Sequence, residues 1–284
     1  MSLINPEQIL VPVDFSRASE SAILHGLEMS IIFKRSLTLL HVYNSKSYKL
    51  FTDYSREAAK KRLDAIVSLI QEQHPEIIIS SIIADGKLKE VIENTAVDVN
   101  AIMVVLGIPL KSGGQIRKAS QAIKLMRNSR IPFLMVREKF PVKDGYQNIV
   151  LPLDETREYK EKVLWASYFS RFYDSTIHIL IPECKDAEIQ YKINANKRFT
   201  DKLFNDFEVK SCVYYSKSKF YDMNKAGIDY AANKGYQLVI IMNTDFYSII
   251  DYIAGPAEQK LIVNKYHIPV LCINPRDDLY VMCV

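Results

Sequence analysis

Ile9-Leu10-Val11-Pro12-Val13-Asp14 recurs as Ile149-Val150-Leu151-Pro152-Leu153-Asp154, 140 residues further on. A second pair keeps the same order. Ile131-Pro132-Phe133-Leu134-Met135-Val136 matches Ile268-Pro269-Val270-Leu271-Cys272-Ile273 at a spacing of 137. Two landmarks at nearly equal spacing predict a duplicated domain rather than a short solenoid repeat. The length of 284 residues suits two domains. The reading places domain 1 over 1–139, a linker over 140–147, domain 2 over 148–276 and a tail over 277–284. Pro141 and Gly145 mark the linker.

Working outward from the first landmark, 9–13 is an apolar run of strand length. Ser16 follows as a helix cap, with Ala22, Ile23, Leu27 and Ile31 at helical spacing. Further strands are predicted over 37–42, 77–83, 101–106 and 133–136. Helices are predicted over 54–72, 87–97 and 116–128, the first with Ala58, Leu63, Ile66 and Ile70 on one face. Domain 2 repeats the alternation, with strands near 149–153, 176–181, 208–215, 238–242 and 270–273. Its helices fall near 157–171, 185–205, 220–234 and 257–265. Strands apolar on both faces that alternate with helices imply a mainly parallel sheet covered on both sides. The fold class is therefore α/β: two tandem doubly wound domains, each with a five-stranded sheet. Such sheets take ligands at the carboxyl ends of their strands.

Composition excludes several classes. Hydrophobic residues make up 48% and charged residues 25%, the balance of a globular chain rather than a disordered one. The formal net charge of +4 is too mild for the footprint of a nucleic-acid binder. No apolar run approaches the ~18 residues of a membrane span. The N-terminus has no secretory pattern, and none of the four cysteines shows Cys-x-x-Cys spacing. A cytoplasmic protein with reduced thiols is expected, with neither membrane nor nucleic acid as partner.

The landmarks together resemble the universal stress protein family in its tandem two-domain form. Pro12-Val13-Asp14-Phe15-Ser16, His41-Val42, Asp85-Gly86, Ala101 to Gly107 and Ala119-Ser120 carry the resemblance in domain 1. Pro152-Leu153-Asp154, Asn243, Gly255-Pro256 and Ile268-Pro269-Val270 carry it in domain 2. It covers about residues 5–275. It implies a fold like the adenine nucleotide alpha hydrolases. Members pair through their last strands, so it implies self-association or an intramolecular pseudo-dimer of the two halves.

Some members of the family bind ATP, through Gly-x-x-Gly, nine residues, then Gly-Ser/Thr after the fourth strand. Glycines let backbone N–H groups approach phosphate, and the following helix N-terminus adds donors. Here Gly107 starts the loop, but Leu110 stands at the second glycine. Gly113-Gly114 comes later, Ala119-Ser120 replaces Gly-Ser, and the span is one residue short. If an adenine nucleotide such as ATP binds domain 1, the resemblance implies Pro12, Asp14 and Val42 on its base and ribose side. Gly107, Gly113, Gly114 and Ser120 would then line the phosphates. The equivalents in domain 2 are Pro152, Asp154, Asn243 and Gly255. Gly255-Pro256 offers no hydroxyl, and Asp245 and Asp251 add negative charge, so this second site is read as degenerate.

Each residue also has a plainer reading. Asp14 and Asp154 suit carboxylates that accept backbone N–H groups in a strand-to-helix turn. Gly113-Gly114, beside Lys111 and Arg117, is either an anion cradle or a surface loop. Ser120 is either a phosphate donor or a helix cap. The five histidines form no metal constellation, with His41 at the crevice edge the one to watch. Tyr214, Tyr215, Tyr221, Tyr230, Tyr236, Tyr247 and Tyr252 suit aromatic cover rather than base stacking. The apolar stretch Phe246 to Ala254 reads as a plug over the crevice or a subunit contact.

The leading expectation is a non-enzymatic stress-response binding or regulatory module with no catalytic or metal residues and an as yet unspecified protein partner. An alternative is a slow ATP hydrolase or nucleotidyl-transfer enzyme in the domain 1 crevice. It would need carboxylates for Mg²⁺, and the sequence offers only Asp14. A third reading is a ligand-free interaction scaffold.

Overall fold

The computed structural model of the chain describes residues 7–43, 55–109, 119–126, 129–138, 145–156, 159–242 and 263–274. The chain divides into two compact units, Met1–Phe140 and Pro141–Val284.

In the first unit, β1 (Gln8–Pro12) leads into α1 (Arg17–Phe33), then β2 (Ser36–Tyr43), α2 (Arg56–Gln73) and β3 (Ile79–Asp85). After these come α3 (Leu88–Asp98), β4 (Ala101–Ile108), α4 (Ala119–Met126) and β5 (Phe133–Arg137). The strand order is β3-β2-β1-β4-β5, with parallel pairing throughout. Register sets Pro12 beside Leu40, and Gly107 beside Val136. Central strands read as near-continuous apolar runs because helices cover both of their faces. Ile9, Leu10, Val11, Leu39, Leu40, Val104 and Val105 are fully buried accordingly.

The second unit repeats the plan with β6 (Asn148–Pro152), α5 (Tyr159–Tyr173), β7 (Thr176–Pro182), α6 (Ala187–Asp206) and β8 (Ser211–Ser216). A 3-10 turn at Phe220–Asp222, α7 (Met223–Lys234), β9 (Leu238–Met242) and β10 (Val270–Ile273) complete it. Its order is β8-β7-β6-β9-β10, again parallel. Tyr146, inside the stretch read as a linker, is buried here, and Ser175 Oγ donates to its carbonyl at 2.5 Å.

Local sequence explains the helix starts. Ser16 has extended backbone and its Oγ accepts from Ser19 N–H at 3.3 Å, capping α1. Ser55 caps α2 through Ala58 N–H, and Asp186 caps α6 through the N–H groups of Glu188 and Ile189. The α1 helix ends where Lys34 turns left-handed at φ 53° and donates back to Ile31 and Ser30.

Four expectations need correction. The buried face of α2 is Ala59, Leu63 and Ile70; of the predicted stripe, Leu63 and Ile70 are buried and Ile66 is half-buried, but Ala58 is exposed and Ala59 takes its place. Ile31 is exposed on α1 and does not belong to its buried face. The strands β3 and β8 are not covered on both faces. They are the outer strands of their orders, and Val213 and Tyr215 stay exposed on β8. Finally, 263–265 form a turn and not the end of a helix; the rest of the predicted helix 257–265 lies outside the described residues.

Candidate functional site

Parallel strands deliver all their carboxyl ends to one edge. In the first unit the chain leaves β1 for β2 and β3 on one side, then returns to lay β4 on the other. The switch point therefore lies between β1 and β4, where open α/β sheets bind ligands. A cleft of about 240 Å³, including its solvent-open side, sits there. It is lined by Pro12, Val13, Asp14, Ser19, Leu88, Leu106 and Gly107.

Gly107 shapes the cleft. A Cβ on it would lie 2.2 Å from the carbonyl oxygen of Ala18 and 2.8 Å from the amide nitrogen of Ser19. The first turn of α1 thus rests directly on the backbone of β4, and no side chain fits between them. Asp14 anchors the same turn. Its Oδ1 accepts the Ser16 N–H at 3.1 Å and the Ser16 hydroxyl at 2.5 Å. The turn reading of Asp14 therefore holds for that oxygen, while the residue also faces the cleft.

Phe15, between them, adopts left-handed backbone at φ 62°. That conformation is costly for a bulky residue. Its ring packs against the His41 ring at a centroid distance of 4.8 Å, with the Arg62 guanidinium 4.6 Å from its centre. His41 is fully buried, and its Nδ1 lies 2.7 Å from the carbonyl of Val13. A carbonyl only accepts, so Nδ1 carries the proton. Burial lowers the pKa of His41 against the opposing pull of the Val13 bond and Asp14, so the ring is neutral at pH 7.

Of the domain 1 residues singled out in the sequence, Pro12, Asp14 and Gly107 meet at this cleft. Val42 does not line it. It is buried on β2 beside Ala84 of β3, on the far side of β1. Gly113, Gly114 and the side chain of Ser120 lie outside the described residues, although Ser120 stands in the first turn of α4. Sequence reading missed Ser19, Leu88 and Leu106. The Ser16 cap pointed to Ser19, because it fixes where the first turn of α1 begins.

The second unit builds the equivalent place differently. Thr156 donates to Asp154 Oδ1 through its N–H at 3.0 Å and its hydroxyl at 2.5 Å, repeating the Asp14–Ser16 turn. Lys162 then donates to Asp154 Oδ2 from a side chain with no exposure. Its ammonium also sits 4.8 Å from the centre of the buried Tyr159 ring. Asn196 Nδ2 donates to the carbonyls of Asp154 and Thr156, both at 2.8 Å. On β6, Pro152 lies under α7 so closely that a Cβ on Gly227 would come within 2.5 Å of it. Eight residues after Asp14 stands Ala22; eight after Asp154 stands Lys162. Laying the two halves over each other at their offset of 140 would have exposed this exchange. Asn243, Gly255 and the 246–254 stretch lie outside the described residues.

The tyrosines of the second unit include an aromatic cluster. His178 stacks on Tyr236 at 4.0 Å, and Tyr230 packs against Tyr214 and Tyr236 at 5.3 and 5.9 Å. Among the described residues, no three His, Cys, Asp or Glu side chains gather in a metal-binding group. Among them also, no helix is long and apolar enough to cross a membrane.

Residues 6–137 match the model of the universal stress protein family. No curated protein matches the chain significantly. Among solved structures, a universal stress protein from Archaeoglobus fulgidus is similar with a TM-score of 0.72 at 14% identity. The match covers 94% of this chain and 98% of that one. A functionally unknown protein from Pseudomonas aeruginosa has a TM-score of 0.62 at 14% identity, covering 96% of this chain and 94% of its own. An Arabidopsis thaliana universal stress protein family member with AMP bound matches 49% of this chain and 97% of its own, at 19% identity and a TM-score of 0.32.

Proposed function

We propose that this chain is a non-catalytic binding module that senses an adenine nucleotide through its first unit alone, a reading supported by the match of residues 6–137 to the universal stress protein family. The observation that carries the reading is the contrast between two equivalent places. The first unit keeps an open cleft at its switch point, bounded by Asp14 and the bare backbone of Gly107. In the second unit the equivalent aspartate, Asp154, is paired with the buried ammonium of Lys162.

The cleft itself is small. It takes one part of a nucleotide, with the remainder lying along the carboxyl edge of β4. Val13 and Leu106 offer apolar contact, Asp14 an acceptor for a ribose hydroxyl or an exocyclic amine, and Ser19 a hydroxyl. A flat base with donors at its rim suits that set. The second unit then acts as a folded partner that binds no nucleotide.

A thermal-shift titration with ATP, ADP and AMP tests this on wild type, Asp14→Ala and Asp154→Asn. A ligand confined to the folded state stabilises by about 2.7 kcal/mol at a hundredfold excess over Kd. The expected result is a shift in wild type and Asp154→Asn that is lost in Asp14→Ala. Absence of any shift at millimolar nucleotide would sink the reading, and so would a response that Asp14→Ala retains.

A further inference from the structure

The outer strand of the second unit leaves one backbone edge unpaired. β8 lies at the end of the order β8-β7-β6-β9-β10, and β7 accompanies it over the whole of Ser211–Ser216. Ile177 N–H donates to the Lys210 carbonyl and Glu183 N–H to the Ser216 carbonyl, so the even-numbered residues turn their backbone groups toward β7. These groups alternate in direction along a strand, so Ser211, Val213 and Tyr215 turn theirs outward. Among the described residues, none bonds to those outward groups. The pleat also sets the three side chains on one face, and that face is open. Val213 is 38% exposed and Tyr215 66%. No residue from 211 to 216 is charged or a proline, and the register carries no bulge. A strand of this kind is a template for another strand.

The outer strand of the first unit is guarded, and β8 is not. Leu37 N–H donates to the Ile78 carbonyl, so Ile79, Ser81, Ile83 and Asp85 of β3 turn outward. Arg56 covers that edge. Its Nη2 donates to the Ile83 carbonyl and its Nε to Asp85, both at 3.2 Å. A cation on an edge strand deters further pairing. In addition α2 packs against β3, whereas α6 packs against α5. Around β8 the charge lies beyond the two ends instead. Exposed Asp206 and Glu208 precede the strand, and exposed Lys217 and Lys219 follow it. Lys210, nearest its start, is already paired with Asp174 at 2.5 Å.

We propose that β8 is a self-association edge, on which a second copy of this chain pairs its own β8 antiparallel across a two-fold axis at Val213. A two-fold contact must be self-complementary, and this strand is. In that register Val213 faces its own counterpart and Ser211 faces the counterpart of Tyr215, so the outward backbone groups of all three residues are bonded. The Tyr215 ring then lies diagonally across the second Val213 and covers the open face. An antiparallel approach also brings the acidic end of each strand to the basic end of the other, whereas a parallel approach sets like charges together. An edge of six residues buries less than the roughly 800 Å² per partner of a standard interface, so the dimer is a reversible one. This edge is distinct from pairing through the last strand, because β10 stands at the opposite end of the order. It is also independent of any nucleotide in the first unit.

The experiment is sedimentation equilibrium of the full chain over about 1–500 µM, the range of a weak interface. Wild type should pass from monomer to dimer across it. Val213→Lys sets two ammonium groups opposite each other at the axis and should weaken association about tenfold or more. Its melting temperature should stay near that of wild type, because Val213 is already partly exposed. Lys217→Glu/Lys219→Glu should also weaken the dimer, and adding Asp206→Lys/Glu208→Lys should restore it. Oxidative crosslinking in a Cys212→Ser background reads the register. Val213→Cys should crosslink to its own position in the second copy, whereas Tyr215→Cys, which faces Ser211, is too far from itself to do so. A wild type that stays monomeric at the highest concentration overturns the proposal and leaves the edge to an extended segment of another protein. A dimer that Val213→Lys leaves intact overturns it too, by placing the contact elsewhere. Crosslinking that is absent at Val213→Cys, or equal at Tyr215→Cys, does the same whatever the melting of Val213→Lys.

Discussion

Lys162 donates from its ammonium to Oδ2 of Asp154 with none of its side chain exposed, while the aspartate keeps 18% of its own. The first unit has Ala22, an uncharged residue, at the position that corresponds to Lys162. Taking a lysine out of water is unfavourable unless its partner and surroundings compensate. Here the Asp154 carboxylate and the Tyr159 ring do so. The second unit thus pairs its aspartate with a buried lysine, and Asp14 of the first lines a cleft.

Breaking this pair from one side should be far worse than removing it whole. Asp154→Ala is expected to cost the second unit about 3–5 kcal/mol, because it strands a buried ammonium. The double variant Asp154→Ala/Lys162→Met should recover most of that loss. Trp165, the single tryptophan, stands on α5 three residues from Lys162, so its fluorescence in a denaturant titration reads the right unit. A double variant no more stable than Asp154→Ala would refute the argument.

Gly107→Ala tests the contact between α1 and β4. The added methyl would meet the Ala18 backbone at 2.2 Å, where neither strand nor helix has a flexible side chain to move. Overpacking of this kind costs about 1–3 kcal/mol. A lower midpoint for the first unit by scanning calorimetry is expected, together with a weaker nucleotide response. An unchanged midpoint would mean that α1 can lift off β4 without loss.

His25 is fully buried on α1, and desolvation lowers its pKa from 6.5 to about 3. The unfolded chain takes up this proton below pH 6.5, and the folded chain does not until about pH 3. Stability is therefore whole above pH 6.5 and falls through that window by up to about 1.4 kcal/mol per pH unit. His41 and His178 are shifted in the same direction and steepen the fall. Urea titrations at pH 7.5, 6 and 5, roughly spanning the onset of this window, should show the loss. His25→Gln should reduce the slope, and an identical slope in that variant would remove His25 from the account.

Phe15 sets a backbone cost against its ring contacts. Phe15→Ala loses the packing on His41 and Arg62 and keeps the left-handed backbone; Phe15→Gly loses the same packing and relieves the backbone. The glycine variant should be more stable than the alanine variant by about 1 kcal/mol. Thermal melts of the two variants measure the difference, and equal midpoints would show that the turn stores no strain.

What the sequence determined by itself was everything set by neighbours along the chain. The alternation of strands and helices, the Ser16 cap and the Asp14 turn all depend on residues within a few positions of one another, and each copy of the duplicated landmark is itself a contiguous stretch. Periodicity and capping chemistry make such features readable. Periodicity failed where neighbours along the chain do not decide burial. Ala59 rather than Ala58 turns inward on α2, and β3 and β8 stay open, because only their place in the sheet order settles what covers them. The tertiary structure alone set Gly107 against Ala18, across 89 residues of chain, and left Arg137 buried without partners for two of its nitrogens. It also turned an unremarked lysine on α5 into the internal cation of Asp154. Close packing brings such groups together from distant segments, and the cost of desolvating a charge then decides which of them must be paired.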